Sequence, residues 1–221
     1  MVTGRVPPDS MASPVRIAIL AKAPVAGHAK TRLIPALGAQ GAARLQRSFT
    51  RDAVRVAREA ALGDVMLWCA PDATHRFFRA LQRTTGIRCN DQPDADLGAR
   101  MLRAATPAFV AEEAQPVLII GTDCPALRPH HLRAAAAELQ EVDAVFIPAE
   151  DGGYVLIGLQ RPQPGLFTAM TWSTDSVMAE TRQRAASLAL TIRELPTLWD
   201  VDTPADLQRL RALQLSTSPT G

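Results

Sequence analysis

The chain has 221 residues, 47% of them apolar and 21% charged, which is enough to bury one full core without disulfide or metal staples. A net charge of +2 with both signs spread along the chain argues against a nucleic-acid binder, which would concentrate positive charge. No apolar run approaches the roughly 20 residues of a membrane span. Cys69, Cys89 and Cys124 stand too far apart for a disulfide or zinc framework, so a cytoplasmic protein is expected.

Residues 1–14 hold Gly4, Pro7, Pro8 and Pro14 without periodicity and read as a flexible N-terminal arm. The ordered domain is expected over 15–213. VRIAILA (15–21) is a continuous apolar run, the mark of a strand covered on both faces. After Arg16 it imitates a short signal peptide, but Lys22 ends it too soon. Residues 40–61 carry Leu45, Phe49, Ala53, Val56 and Ala57 at helical spacing. DVMLWCA (64–70) is a second buried strand, 75–84 a helix, 87–89 a short strand and 97–111 a helix. PVLIIG (116–121) is a strand, and 129–140 a helix with Pro129 at a permitted first-turn position. DAVFIP (143–148) and YVLIGL (154–159) are strands, 174–188 a helix, 191–195 a strand and 203–213 the last helix. Residues 214–221 read as a loose tail.

Strands alternating with helices predict a single α/β domain with crossover connections and a mostly parallel sheet. Asp151-Gly152-Gly153 joins two strands and is too short for a crossover helix. One antiparallel strand, and hence a mixed sheet, is expected there.

In open parallel sheets ligands bind beyond the C-terminal strand ends, so the strings after each strand carry the chemistry. After the first strand come Lys22, Gly27, His28, Lys30 and Arg32. Backbone N–H groups of such a turn can face phosphate oxygens while the cations neutralise them; a solvated basic loop is the plain alternative. After PVLIIG come Thr122, Asp123, Cys124 and Pro125. A carboxylate at this point suits Mg²⁺ or Mn²⁺ bridging phosphate oxygens, against the competing role of helix N-cap. Asp151 could serve as a base or touch a sugar hydroxyl, or merely close a hairpin. Asp200 and Asp202 form a carboxylate pair before Thr203-Pro204, of which helix capping explains one. Gln92 to Gly98 can wall a base or sugar pocket, and Trp172 can stack on one. His130 and His131 are neighbours and do not share a helix face.

Taken together and in order, AKAPVAGHAKTRL, DLGARM, GTDCPAL, DGGYVLIGL, WSTDSV and WDVDTPADL resemble a bacterial family of GT-A-type glycosyltransferases, some of which accompany arsenosugar biosynthesis. The resemblance spans about residues 15–210. More distantly, the layout is similar to molybdenum-cofactor guanylyltransferases and 2-phospholactate guanylyltransferase. It implies the nucleotide-diphospho-sugar transferase fold, a Rossmann-like three-layer sandwich. One departure stands out: GT-A enzymes typically carry an aspartate pair after the central strand, whereas Thr122-Asp123-Cys124-Pro125 holds a single acid, closer to nucleotidyltransferases.

The first reading is a glycosyltransferase using a nucleoside-diphosphate sugar and a small acceptor. Lys22, Gly27, Lys30, Arg32, Gln92, Gly98 and Thr122 would bind the nucleotide, Asp123 and Asp202 the metal, and Asp123 and Asp151 would be the catalytic residues, Asp151 as the base. The second is a nucleotidyltransferase using a nucleoside triphosphate and a phosphorylated small molecule. A non-catalytic nucleotide-binding partner protein is the third. None involves nucleic acid or a membrane.

Overall fold

The computed structural model describes residues 14–111 and 114–217. The predicted arm, Pro14 aside, and the last four residues of the predicted tail lie outside the described residues. The strands are β1 (Arg16–Lys22), β2 (Val65–Ala70), β3 (Arg88–Asp91), β4 (Val117–Ile120), β5 (Ala144–Pro148), β6 (Tyr154–Leu159) and β7 (Ile192–Glu194). The helices are α1 (Ile34–Ala60), α2 (Arg76–Thr85), α3 (Leu97–Phe109), α4 (Pro129–Glu138), α5 (Val177–Ser187) and α6 (Pro204–Thr217).

All the strands join one sheet in the order β3-β2-β1-β4-β6-β5-β7. Every pairing is parallel except those of β6, which runs antiparallel to β4 and to β5. The Asp151-Gly152-Gly153 hairpin forces that reversal, as its length predicts.

Alternate side chains on each strand enter opposite layers. Ile17, Ile19, Leu118 and Ile120 pack with Ala53 and Ala57 of α1, Phe78 of α2 and Leu132 of α4. Ala18, Val117, Ile119 and Phe146 pack with Met101 and Ala105 of α3 and Met178 and Ala185 of α5. These two layers around the sheet are the three-layer sandwich of the nucleotide-diphospho-sugar transferase fold. A smaller cluster of Leu33, Phe49, Trp199, Val201, Leu207 and Leu210 fastens α6 to the start of α1. Among the described residues no helix is long and apolar enough to cross a membrane.

The predicted boundaries shift where backbone chemistry outweighs periodicity. The first helix begins at Ile34 rather than 40, but Gly38 breaks it at φ 67°, ψ 162°, and the predicted start falls just past that break. The fifth helix begins at Val177 rather than 174, because Ser173 takes a left-handed φ of 65°. The last helix continues to Thr217, four residues into the predicted tail.

From β1 the chain moves outward through β2 and β3, then crosses back to β4 on the other side of β1. Connections therefore diverge at the C-terminal ends of β1 and β4. That divergence opens the crevice in which open α/β sheets hold ligands.

Candidate active site

A cleft of about 1430 Å³ lies at this point. It is lined by Lys22, Lys30, Arg32, Gln92, Thr122, Asp123, Asp151 and Asp202, so residues from five distant stretches of sequence converge on it. Gly27 and Gly98 do not line it.

Lys30 organises one end. Its backbone is left-handed (φ 48°, ψ 49°), and its side chain is only 4% exposed. The ammonium donates to the Val201 carbonyl at 2.6 Å and to Asp202 Oδ1 at 2.8 Å, and it lies 3.0 Å from Asp123 Oδ1. Two hydrogen bonds and one ion pair thus hold it. Read from the sequence as a phosphate contact, Lys30 is engaged here by the chain's own oxygens. The Val201 N–H also donates to the Asp123 carbonyl at 2.9 Å, joining the two segments. Buried Gln46 donates to Thr122 Oγ1 at 3.1 Å, and Thr122 donates to Asp123 Oδ1 at the same distance. Both of these Asp123 contacts use Oδ1, and Oδ2 makes no hydrogen bond among the described residues. Arg32 is exposed, with Nη1 3.7 Å from Asp202 Oδ2.

The capping roles that competed for these aspartates are filled by other residues. The helix after β4 starts at Pro129 with Arg128 as its N-cap, five residues beyond Asp123, and His131 Nδ1 accepts from the Arg128 N–H. At α6, Asp206 Oδ2 accepts from the N–H and the hydroxyl of Thr203, each at 2.7 Å. Asp202 is thus left free for the cleft, and Asp200 lines the cleft with it. Burial pushes the Asp200 carboxyl up to about 6, with Asp151 and Asp202 adding to the effect and Lys30 opposing it. Three carboxylates therefore crowd one wall.

Asp151 closes the β5–β6 hairpin by accepting from the Gly153 N–H at 2.9 Å. Gly152 has φ +90°, and a Cβ there would stand 2.0 Å from the Asp175 carbonyl oxygen. The Met178 N–H donates to the Gly152 carbonyl at 2.8 Å. The hairpin is therefore docked on the Trp172–Asp175 segment by a glycine that nothing larger replaces.

The other end of the cleft is built by α3, β6 and that segment. Leu97, Arg100 and Met101 line it from one face of α3, with Tyr154 and Trp172. Gly98 serves this wall from beneath: a Cβ would come within 2.8 Å of Trp172 Cζ2 and of the Phe167 carbonyl. Gln92 Nε2 donates to the carbonyls of Ala21 (3.2 Å) and Trp68 (2.8 Å), tying the ends of β1 and β2 together beside the cleft. Burial pushes the Tyr154 phenol well up. Arg100 was missed from the sequence. It stands in the DLGARM string without being singled out, and its i, i+3 relation to Leu97 at the start of a helix is a further signal.

Among the described residues no group of three or more His, Cys, Asp or Glu side chains is arranged to hold a metal ion. Two carboxylates, Asp123 and Asp202, meet at Lys30. That donor set fits Mg²⁺ or Mn²⁺ only with substrate oxygens completing the shell, the usual habit of Mg²⁺ at phosphates.

The family model described as uncharacterized protein conserved in bacteria (DUF2064) matches residues 53–174. The chain belongs to this family. The match includes the DUF2064 protein's Gln92, Arg100, Asp123, Asp151 and Trp172, and stops short of Lys30 and Asp202 on either side. No curated protein matches the chain. A solved structure from Desulfovibrio desulfuricans, proposed by its description to be a nucleotide-diphospho-sugar transferase, is 29% identical with a TM-score of 0.84. The match covers 93% of this chain and 90% of that one. The inositol-1-phosphate CTP transferase of T. maritima is 12% identical with a TM-score of 0.60, over 95% of this chain and 98% of that one. A Mycobacterium tuberculosis protein solved in complex with manganese is 19% identical with a TM-score of 0.55, over 90% and 98%. The last two likenesses concern the fold alone.

Proposed function

We propose that this protein is a metal-dependent glycosyltransferase that moves a sugar from a nucleoside-diphosphate sugar to a small acceptor in this cleft. One observation carries the reading. Asp123 and Asp202 come from opposite ends of the sequence and are gathered by buried Lys30 where the sheet's connections diverge. The likeness to the Desulfovibrio desulfuricans protein supports it.

Asp123 and Asp202 would hold Mg²⁺ or Mn²⁺, which when bound offsets the charge growing on the leaving diphosphate. Lys22 and Arg32 line the cleft without a buried pairing and would meet phosphate oxygens. Thr122 fixes the Asp123 carboxylate from beneath, so its free oxygen is pre-oriented. Asp151, exposed at the hairpin tip and lining the cleft, would take the proton of the acceptor hydroxyl.

The single acid after β4 favours a second reading: attack on a nucleoside triphosphate by a phosphorylated small molecule, with release of pyrophosphate. Thermal-shift panels of nucleotide sugars and nucleoside triphosphates, with and without Mn²⁺, separate the two. Metal-dependent stabilisation by a nucleotide sugar is expected. Stabilisation by a triphosphate alone would move the assignment to nucleotidyl transfer, and no response to any nucleotide would discard both.

A further inference from the structure

The α3 end of the cleft has a polar inventory unlike the Lys30 end. Arg100 lines the cleft, yet its guanidinium makes no hydrogen bond or ion pair among the described residues, and its Nε is buried without a partner. Asp94 and Asp175 line the same cleft, and neither pairs with it. Beside it, the Tyr154 hydroxyl reaches only the thioether of Met101, at 3.9 Å. Trp172 Nε1 is also buried without a partner, shielded against Gly98, where a Cβ would lie 3.1 Å away. The wall thus offers a guanidinium and a phenol to a ligand, with a weak sulfur acceptor as the phenol's protein partner.

Burying the Arg100 Nε–H without an acceptor carries a cost. Every other deeply engaged cation here avoids that cost. Lys30 is held by two hydrogen bonds and an ion pair, and Arg184 spends its guanidinium on Glu180 and on the carbonyls of Gly165, Thr168 and Ala169. Arg184 thereby fixes the segment leading to Trp172, whose flanks at Ala169 and Ser173 are left-handed (φ 55° and 65°). A wall that is braced behind, yet unpaired in front, is one whose acceptor arrives with a ligand. The cleft has room for it: about 1430 Å³ exceeds the roughly 300–1,000 Å³ of a pocket for one small molecule.

We infer that the α3 end of the cleft is a subsite for an anionic group, phosphate or carboxylate, carried by the acceptor, and that Arg100 is the residue that holds it. The planar guanidinium matches two oxygens of such a group at once, and the Tyr154 hydroxyl can supply a further donor. The word acceptor rests on the transferase reading, whereas the anion rests on the unpaired wall alone.

Calorimetry on the full chain tests this with glycerol 3-phosphate, glycerate and neutral glycerol as probes. The wild-type protein is expected to bind the phosphate or the carboxylate and not glycerol. Arg100→Met should weaken that anion at least about tenfold while metal-dependent nucleotide binding stays at the wild-type level. Arg100→Lys keeps the charge without the planar fork, should fall between the two, and carries the test if the methionine variant does not fold. Equal anion affinity in wild type and variant, or no anion binding by wild type at all, overturns the subsite. So does a loss of nucleotide binding in Arg100→Met while its anion binding persists. Arg100-dependent anion binding by a protein that binds no nucleotide would instead sink the transferase reading and leave the subsite standing.

Discussion

The two ends of the cleft differ in where their polar groups find partners. At the Lys30 end the chain satisfies itself: a 4%-exposed ammonium donates to Val201 and Asp202 and ion-pairs with Asp123, which Thr122, itself held by Gln46, supports from below. At the α3 end Arg100 and Trp172 have buried donors without partners. The first end is pre-organised by folding, so its geometry exists before any ligand arrives. The second has the Arg100 guanidinium set on a rigid wall, and its pairing is left to a ligand. Folding energy is therefore concentrated at one end and ligand selectivity at the other. Mutations should separate along that line.

The strongest challenge to the separation is the hinge between the ends. Gly152→Ala would drive a Cβ to within 2.0 Å of the Asp175 carbonyl at a φ of +90°. A loss of about 3 kcal/mol or more is expected in urea unfolding, with both ends failing together. If stability is unchanged, the hairpin is not docked as described. Next comes Asp123→Ala. Metal-dependent nucleotide affinity should fall on the order of 100-fold, measured calorimetrically with Mn²⁺. The fold should persist, because the side chain is 41% exposed and caps no helix. Unfolding with unaltered affinity in the folded fraction would return Asp123 to a structural role.

Lys30→Met is the test of the brace. Removing the cation leaves Asp123 and Asp202 without the charge they share. Because both are more than a third exposed, solvent screening limits the cost to about 1–2 kcal/mol in denaturant unfolding. Stability equal to wild type would mean that the brace contributes nothing. Arg100→Met stands at the small end. A side chain without partners among the described residues should not lower stability by more than about 0.5 kcal/mol when replaced, even though anion binding falls. A loss of 2 kcal/mol or more would show that Arg100 belongs to the folding framework after all.

Most of the framework was legible in the residues. Short apolar runs such as VRIAILA and PVLIIG became buried strands because both of their faces are covered. The Asp151-Gly152-Gly153 connection forced β6 to reverse. The positions of Asp123 and Asp202 followed from the rule that ligands meet strand C-termini. Lys30 was legible as a cation of the cleft, but its contacts with Val201 and Asp202 were not, because pattern shows that a cation is near a site but not which of the chain's own oxygens it reaches. Gly98 was read as a nucleotide contact, whereas its space is taken by Trp172 and Phe167, seventy residues on. Arg100 resembled any arginine on a helix surface. Only the absence of a partner in three dimensions distinguishes it.

What the sequence by itself determined was the set of elements, the reversed strand and the strings that bear the chemistry. Those depend on local periodicity, turn length and the spacing of charged residues, all of which act over a few neighbours. Tertiary structure alone decided which charges meet: that β6 inserts beside β4, that Lys30 joins Asp123 to Asp202, and that Arg100 joins no side chain among the described residues. Pairing energies depend on distance and burial between segments up to 172 residues apart, and neither quantity exists until the sheet is assembled.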